Sequence, residues 1–365
     1  MGENKKFKFD VIIGNPPYQD STSVNNRSGA IYQYFYDAAE EIADKYMLIT
    51  PARFLFNTGL TSKEWNKKML TDPHLKVKMF EQNANNIFPN TDIKGGIVVI
   101  YRDADKNFGK IGEFIPNDHL RAISQHFTRD VIHNLPSIMY GGRSDLKFND
   151  IFLEAYPQSI RDRINNIQKK HPNVTELAPN EEYELKSSTL DVLPYVFLSK
   201  KPNDGEEYIQ ILGLSKGKRL IRWIDSKYMV PRYENNNIDY FKVFVPESNG
   251  SGKFGEILST PVTAGPGESC TPTFISIGRF KTNDEAENCL KYIKTKLVRC
   301  LLDIIKKTQH NAAPNWAYVP LQDFTSHSDI DWSQSIPDID KQLYKKYGLS
   351  QDEIDFIESH VKEMA

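Results

Sequence analysis

Short apolar runs punctuated by helix-period stretches dominate the first hundred residues. Phe9 to Gly14 is a run ending at Gly-Asn-Pro-Pro, the pattern of a buried strand that runs into a loop. A helix-like stretch follows, with Ile31, Tyr34, Phe35, Ala38 and Ile42 at helical spacing. Tyr46 to Thr50 reads as a second buried strand stopped by Pro51, Leu75 to Glu81 as a third, and Gly96 to Tyr101 as a fourth. Strands separated by helical segments predict part of an α/β sheet, with ligands at the carboxyl ends of its strands. Beyond about Asp105 the pattern changes to charged loops, Pro and Gly punctuation, and short aromatic strands such as Tyr240 to Val245, which predicts an α+β domain. A long helix is expected from Asn283 to about Lys307. From Leu343 to Lys362 two short helices are expected, broken at Gly348, with Ser350 as N-cap and Glu353 three residues later.

The domain organisation expected on this basis has three parts: residues 1–105, residues 106–335 and a helical tail, 336–365. A chain of 365 residues allows two or three domains. A net charge of −2 excludes a histone-like polycation, so a nucleic-acid site would have to be a local basic patch. No apolar run approaches the roughly 20 residues that span a bilayer, and the polar, basic N-terminus does not read as a secretion signal. Cys270, Cys289 and Cys300 form neither a disulfide framework nor a metal-ligand spacing, and the eight histidines are scattered, so no metal is expected. A cytoplasmic setting without membrane association fits these features.

The chemistry concentrates in Asn15-Pro16-Pro17-Tyr18, directly after the first strand. An amide side chain and a backbone carbonyl held side by side can accept both hydrogens of a planar exocyclic amine. Two prolines fix φ near −65° and remove competing N–H groups, and the aromatic ring offers a stacking surface for the base. The amine of adenine is a poor nucleophile because its lone pair is delocalised into the ring. Two acceptors that draw its hydrogens out of plane localise that pair, so positioning does the work and no strong base is required. The same four residues also suit a proline-stiffened turn.

These residues resemble the catalytic loop of the amino-methyltransferases. The Asn-Pro-Pro-Tyr form is typical of gamma-class adenine-N6 DNA methyltransferases and is shared with protein-glutamine and some RNA methyltransferases. Residues 45–59 (KYMLITPARFLFNTG) and 80–103 (FEQNANNIFPNTDIKGGIVVIYRD) look like the later sheet motifs of restriction–modification adenine methylases. Residues 273–360, from TFISIGRF through VPLQDF to the final ESH, look like the tail of large single-chain enzymes that join a methylase to a long DNA-recognition region. The resemblance implies a partial, Rossmann-like methyltransferase sheet followed by an α+β DNA-recognition domain. Residue by residue, it implies that Asn15 and the Pro16 carbonyl accept from N6, that Pro17 stiffens the loop, and that Tyr18 stacks on a flipped adenine. Phe88 is the candidate for the base's other face, with core filling as its alternative. The implied donor is S-adenosylmethionine and the implied partner is double-stranded DNA.

The donor site is where the sequence departs from that family. The glycine-rich loop and acidic strand tip of gamma-class enzymes lie upstream of the Asn-Pro-Pro-Tyr loop, and only fourteen residues precede Asn15 here. The chain is therefore expected to lack a complete S-adenosylmethionine site and to be inactive alone, with a chain or segment carrying the donor half as a partner. The stretch Gly250-Ser251-Gly252 follows a strand, but helix-breaking Pro261, Gly265, Pro266 and Gly267 come after it, so it reads as a loop. For DNA, Lys216, Lys218, Arg219 and Arg222 with Trp223 form one basic-aromatic cluster. Lys291, Lys294, Lys296, Arg299, Lys306 and Lys307 form a second on the expected long helix, and Gln309, His310 and Asn311 have base-reading side chains. A non-catalytic recognition module serving a separate methylase is the alternative function.

Overall fold

The computed structural model describes residues 9–19, 30–90, 93, 95–249, 254–306 and 309–364. The chain divides into two compact units, Met1–Pro116 and Asn117–Ala365.

In the first unit the strands are β1 (Ile12–Gly14), β2 (Lys45–Pro51), β3 (Leu75–Glu81) and β4 (Ile97–Asp103), and the helices are α1 (Tyr32–Ile42) and α2 (Lys63–Thr71). The sheet order is β1-β2-β4-β3. β1 runs parallel to β2, whereas β4 is antiparallel to both β2 and β3. All four strands fall where the hydrophobic pattern places them, but β1 is not buried as expected. Among the described residues it is at the sheet edge, and Val11 and Ile13 are 50% and 75% exposed. A run of apolar residues does not distinguish a central strand from an edge strand whose outer side is uncovered.

α1 also turns a different face to the core from the one expected. Its buried positions are Tyr32, Tyr36 and Ala39, while Tyr34 and Phe35 are exposed. Both sets satisfy the i, i+3/i+4 rule, and aromatic packing decides between them. Tyr36 and Trp65 both lie edge-on to Phe54, with ring centroids 6.1 and 5.3 Å away, and the Tyr36 hydroxyl bonds the Thr50 hydroxyl at 2.9 Å. Ser62 caps α2 by accepting from the Trp65 N–H at 3.1 Å. The unit extends past the expected boundary at 105 because Phe114 packs on Phe80 and Phe56, at 5.3 and 5.7 Å.

The second unit combines small sheets with helices, in keeping with an α+β reading. A hairpin of β5 (Tyr208–Ser215) and β6 (Lys218–Asp225) takes Glu268–Cys270 as a third, parallel strand. A second sheet is built on β7 (Phe241–Pro246) and β8 (Phe274–Phe280), flanked by Val262–Ala264 and Met139–Tyr140. The expected long helix is two: α3 (Asn283–Lys294) and α4 (Lys296–Ile305). The break is at Thr295, whose hydroxyl is within 2.7 Å of the Tyr292 carbonyl, to which it donates, and accepts from the Val298 N–H. α5 (Ile336–Tyr347) and α6 (Gln351–His360) match the expected pair, with Gly348 in the left-handed region and a full capping box between Ser350 and Glu353.

These last helices are part of the second unit and do not form a separate tail. The Asp340 carboxylate accepts from the Lys296 and Leu297 N–H groups at 2.8 and 3.0 Å, closing the N-terminus of α4. Lys296 in turn reaches the Glu358 carboxylate at 2.6 Å.

Candidate active site

Because β1 and β2 are parallel, the chain leaves both strands at the same end of the sheet. Asn15 follows β1 at once and is exposed, while Pro16 behind it is buried. Tyr18 is half-buried, and its carbonyl accepts from the Ile31 N–H at 3.2 Å, tying the loop to the start of α1. Burial pushes the Tyr18 phenol up, and the neighbouring Asn15 side chain pulls it partly back. The hydroxyl itself makes no well-formed hydrogen bond.

Beside this loop lies a cavity of about 310 Å³ lined by Tyr18, Gln19, Ala30, Tyr32, Pro51, Arg53, Leu60 and Ile93. Small-molecule pockets span roughly 300–1,000 Å³, so this one is at the lower end, suited to a single nucleoside. Its walls are largely aromatic and apolar, with Gln19 and Arg53 among the polar residues that line it. Burial raises the Tyr32 phenol, partly offset by the Thr61 side chain and by the positive charge of Arg53. Arg53, Tyr32 and Leu60 were not picked out as site residues from the sequence. The available signal was Pro51-Ala52-Arg53 at the end of a strand neighbouring the Asn-Pro-Pro-Tyr strand.

Phe88 is not part of this wall. It is half-buried in the turn after the 3-10 helix Ala84–Asn86, its N–H donating to the Ala84 carbonyl at 2.8 Å. That helical turn follows the carboxyl end of β3, the strand at the other end of the sheet order from β1.

In the second unit the two basic clusters differ. Lys216 and Gly217 form the tip of the β5–β6 hairpin, both with positive φ, and Lys216, Lys218 and Arg219 are exposed there. Arg219 lies over the Phe274 ring at 5.3 Å and donates to the Ser259 carbonyl at 3.0 Å. Arg222 is half-buried. The helical cluster, by contrast, is used inside the fold. Arg299 is only 1% exposed, and its Nε donates to the Lys294 and Thr295 carbonyls at 3.1 and 3.3 Å. Lys291 donates to the Trp332 carbonyl, Lys296 is paired with Glu358, and Lys306 lies 3.9 Å from Asp303. Of the two residues expected to contact phosphate on this stretch, Arg299 is thus buried, and Lys296 is half-buried beside the exposed Glu358. Lys307 and Gly250-Ser251-Gly252 lie outside the described residues. Gln309 is exposed, with its carbonyl accepting from Asn249, whereas Asn311 is buried and donates to the Pro246 carbonyl.

Among the described residues no group of three or more His, Cys, Asp or Glu is placed to hold a metal ion, and no helix is long and apolar enough to cross a membrane.

Residues 2–88 match the Eco57I restriction-modification methylase family. Over 94 residues the chain is 36% identical to an uncharacterized adenine-specific methylase of Mycoplasma pneumoniae (strain ATCC 29342 / M129 / Subtype 1), a stretch covering 25% of this chain. That stretch is 22% of the length of the relative. The segment that builds β1, the Asn-Pro-Pro-Tyr loop, α1 and β2 is therefore similar in sequence to restriction-modification methylases, adenine-specific ones among them.

Proposed function

We propose that this chain is the catalytic-loop and DNA-recognition part of a site-specific adenine-N6 DNA methyltransferase of a restriction–modification system. The observation that carries the reading is the Asn-Pro-Pro-Tyr loop itself, with Asn15 exposed and Tyr18 on the wall of a nucleoside-sized cavity. In this reading the flipped adenine stacks on Tyr18, and the Asn15 Oδ1 and Pro16 carbonyl accept from its N6 hydrogens. Acceptors fixed on a proline-stiffened loop need no reorganisation when the nitrogen lone pair localises, which is how preorganised dipoles lower a barrier. The exposed cations of the β5–β6 hairpin tip supply phosphate contacts.

The donor that this chemistry requires is S-adenosylmethionine, and the described residues do not fit it. No described strand leads through a glycine-rich loop into a helix. β1 has no neighbouring strand on its other side among the described residues, and the alternate residues Phe9, Val11 and Ile13 in and before it are exposed. We place the donor on polypeptide that packs along this edge, whether in another segment or in another chain.

The test is mass spectrometry of nucleosides from duplex DNA incubated with S-adenosylmethionine. N6-methyladenine is expected once the donor-binding polypeptide is supplied. Asn15→Ala is expected to abolish it while leaving DNA affinity within about twofold. Methylation that persists in that variant would sink the assignment.

A further inference from the structure

We propose that Arg53 is the nucleotide-phosphate anchor of the cavity beside Tyr18, holding the phosphodiester attached to the flipped nucleoside. The proposal rests on the reading of that cavity as an adenine site. Arg53 is the single cation among the described residues that line it; the other walls offer rings, apolar surface and the Gln19 amide. Those walls suit a base and a sugar. They offer no charge to an anion, and an adenosine drawn out of DNA carries a phosphate on each side of its sugar.

The backbone fixes the arginine in place. Arg53 sits in the 3-10 helix Ala52–Phe56, which begins directly after Pro51 at the end of β2, the same end of the sheet as Asn15. The Ala52 N–H donates to the Gly96 carbonyl at 2.9 Å, and the Arg53 carbonyl accepts from the Thr58 N–H at 3.1 Å. The Thr58 hydroxyl donates to the same carbonyl at 3.2 Å. The side-chain stem then passes against two glycines with positive φ, Gly59 at +103° and Gly95 at +89°. A Cβ on Gly95 would stand 2.7 Å from Arg53 Cγ, and one on Gly59 would stand 3.0 Å from Arg53 Cβ. A side chain at Gly95 would push the stem aside, and one at Gly59 would crowd it. A long side chain confined in this way has already lost much of its rotamer freedom before a ligand arrives. Its planar guanidinium matches two phosphate oxygens at once, which a lysine ammonium does not.

Ligand-observed NMR titrations of the full chain with 2′-deoxyadenosine and with its 5′- and 3′-monophosphates test the proposal. One monophosphate is expected to bind roughly tenfold more tightly than the nucleoside. Arg53→Met keeps an apolar stem beside the glycines and removes the charge. It is expected to bring the monophosphate down to the level of the nucleoside, with nucleoside affinity unchanged within about twofold. Arg53→Lys is expected to restore part of the preference, and thermal unfolding of both variants shows that the cavity is still formed. Equal binding of nucleoside and nucleotides by the unaltered chain overturns the proposal, as does a preference that survives in Arg53→Met. If Arg53→Met instead weakens S-adenosylhomocysteine and spares the nucleotide preference, the arginine reads a carboxylate and the phosphate assignment is overturned. Failure of the cavity reading is separately visible: no ligand would then show binding that Tyr18→Ala removes, and both readings fall together.

Discussion

Gly14 and Leu48 face each other at the carboxyl end of the parallel β1–β2 pair. One residue beyond Gly14 the chain presents Asn15, and three beyond Leu48 it reaches Pro51, so both walls of the cavity grow from one register. Shifting that register by a residue would exchange the faces of Ile12 and Ile13 and displace Tyr18 relative to Pro51 and Arg53. The site is therefore a property of strand pairing as much as of the four-residue motif.

Tyr18 is the first place to test this arrangement. Its hydroxyl makes no well-formed hydrogen bond, so the ring and not the polar tip is expected to matter. Tyr18→Phe should keep deoxyadenosine binding close to that of the unaltered chain. Tyr18→Ala should lose about 1–3 kcal/mol, the scale of one base–aromatic stack. Titration calorimetry of both variants decides it, and equal losses would assign the hydroxyl a role that the geometry does not give it.

Acid should favour the second unit through Asp303. Burial pushes its carboxyl up to about 6, against the opposing pull of the Gly255 N–H, Lys306 and Arg299, and with Glu256 adding to the rise. The folded state therefore holds a proton between about pH 4 and 6 that the unfolded chain releases. That contribution to stability grows as pH falls through the window, by at most about 1.4 kcal/mol per pH unit. Asp303→Asn keeps an acceptor for the Gly255 N–H, which lies 2.8 Å from the carboxylate, but it cannot titrate. Urea unfolding at pH 7 and pH 5 should show the unaltered chain gaining on the variant at the lower pH. A constant difference would mean that the carboxylate is solvated.

How far the sequence revealed this structure depends on whether neighbouring residues decide a feature. The strands, the Asn-Pro-Pro-Tyr loop and the Ser350–Glu353 cap were legible because each is set by residues a few positions apart. The buried face of α1 was not, since Tyr32, Tyr36 and Ala39 compete with an equally periodic set, and Phe54 and Trp65 decide the matter from another part of the chain. The break at Thr295 was hidden for a similar reason. Threonine is tolerated within helices, and here Asp340, forty-five residues on, closes the N-terminus of α4 and makes a new start possible. Arg299, four residues past the break, is buried, which its charge alone does not announce. Arg53 carried only the weak signal of a Pro-Ala-Arg strand end; the parallel register and the packing of its stem against Gly59 and Gly95 reveal it.

Ser350→Ala should cost about 1 kcal/mol of the second unit's stability, the usual scale for an N-cap. Its hydroxyl accepts from the Glu353 N–H, while the Glu353 carboxylate accepts from the Ser350 N–H at 2.8 Å. Glu353 also lies 3.1 Å from His126 Nε2, so Glu353→Ala removes a tie to a second segment and should cost more than Ser350→Ala. Thermal denaturation of the two variants ranks them, and the reverse order would make the His126 interaction negligible.

The two basic clusters make opposite predictions for DNA binding. Lys216 and Lys218 are exposed at the hairpin tip, and replacing both with Gln should weaken binding to any duplex sequence. It should also reduce the slope of log affinity against log salt by roughly 0.9 for each phosphate that is no longer neutralised. Lys296 is held by Glu358, and replacing it with Gln should leave that slope unchanged. Arg299→Met should do the same while altering stability, because its guanidinium is buried with two nitrogens that lack protein partners. Fluorescence anisotropy across a salt series separates the cases. A slope that falls for Lys296 and not for the hairpin pair would place the DNA on the helical side of this unit and remove the hairpin from the interface.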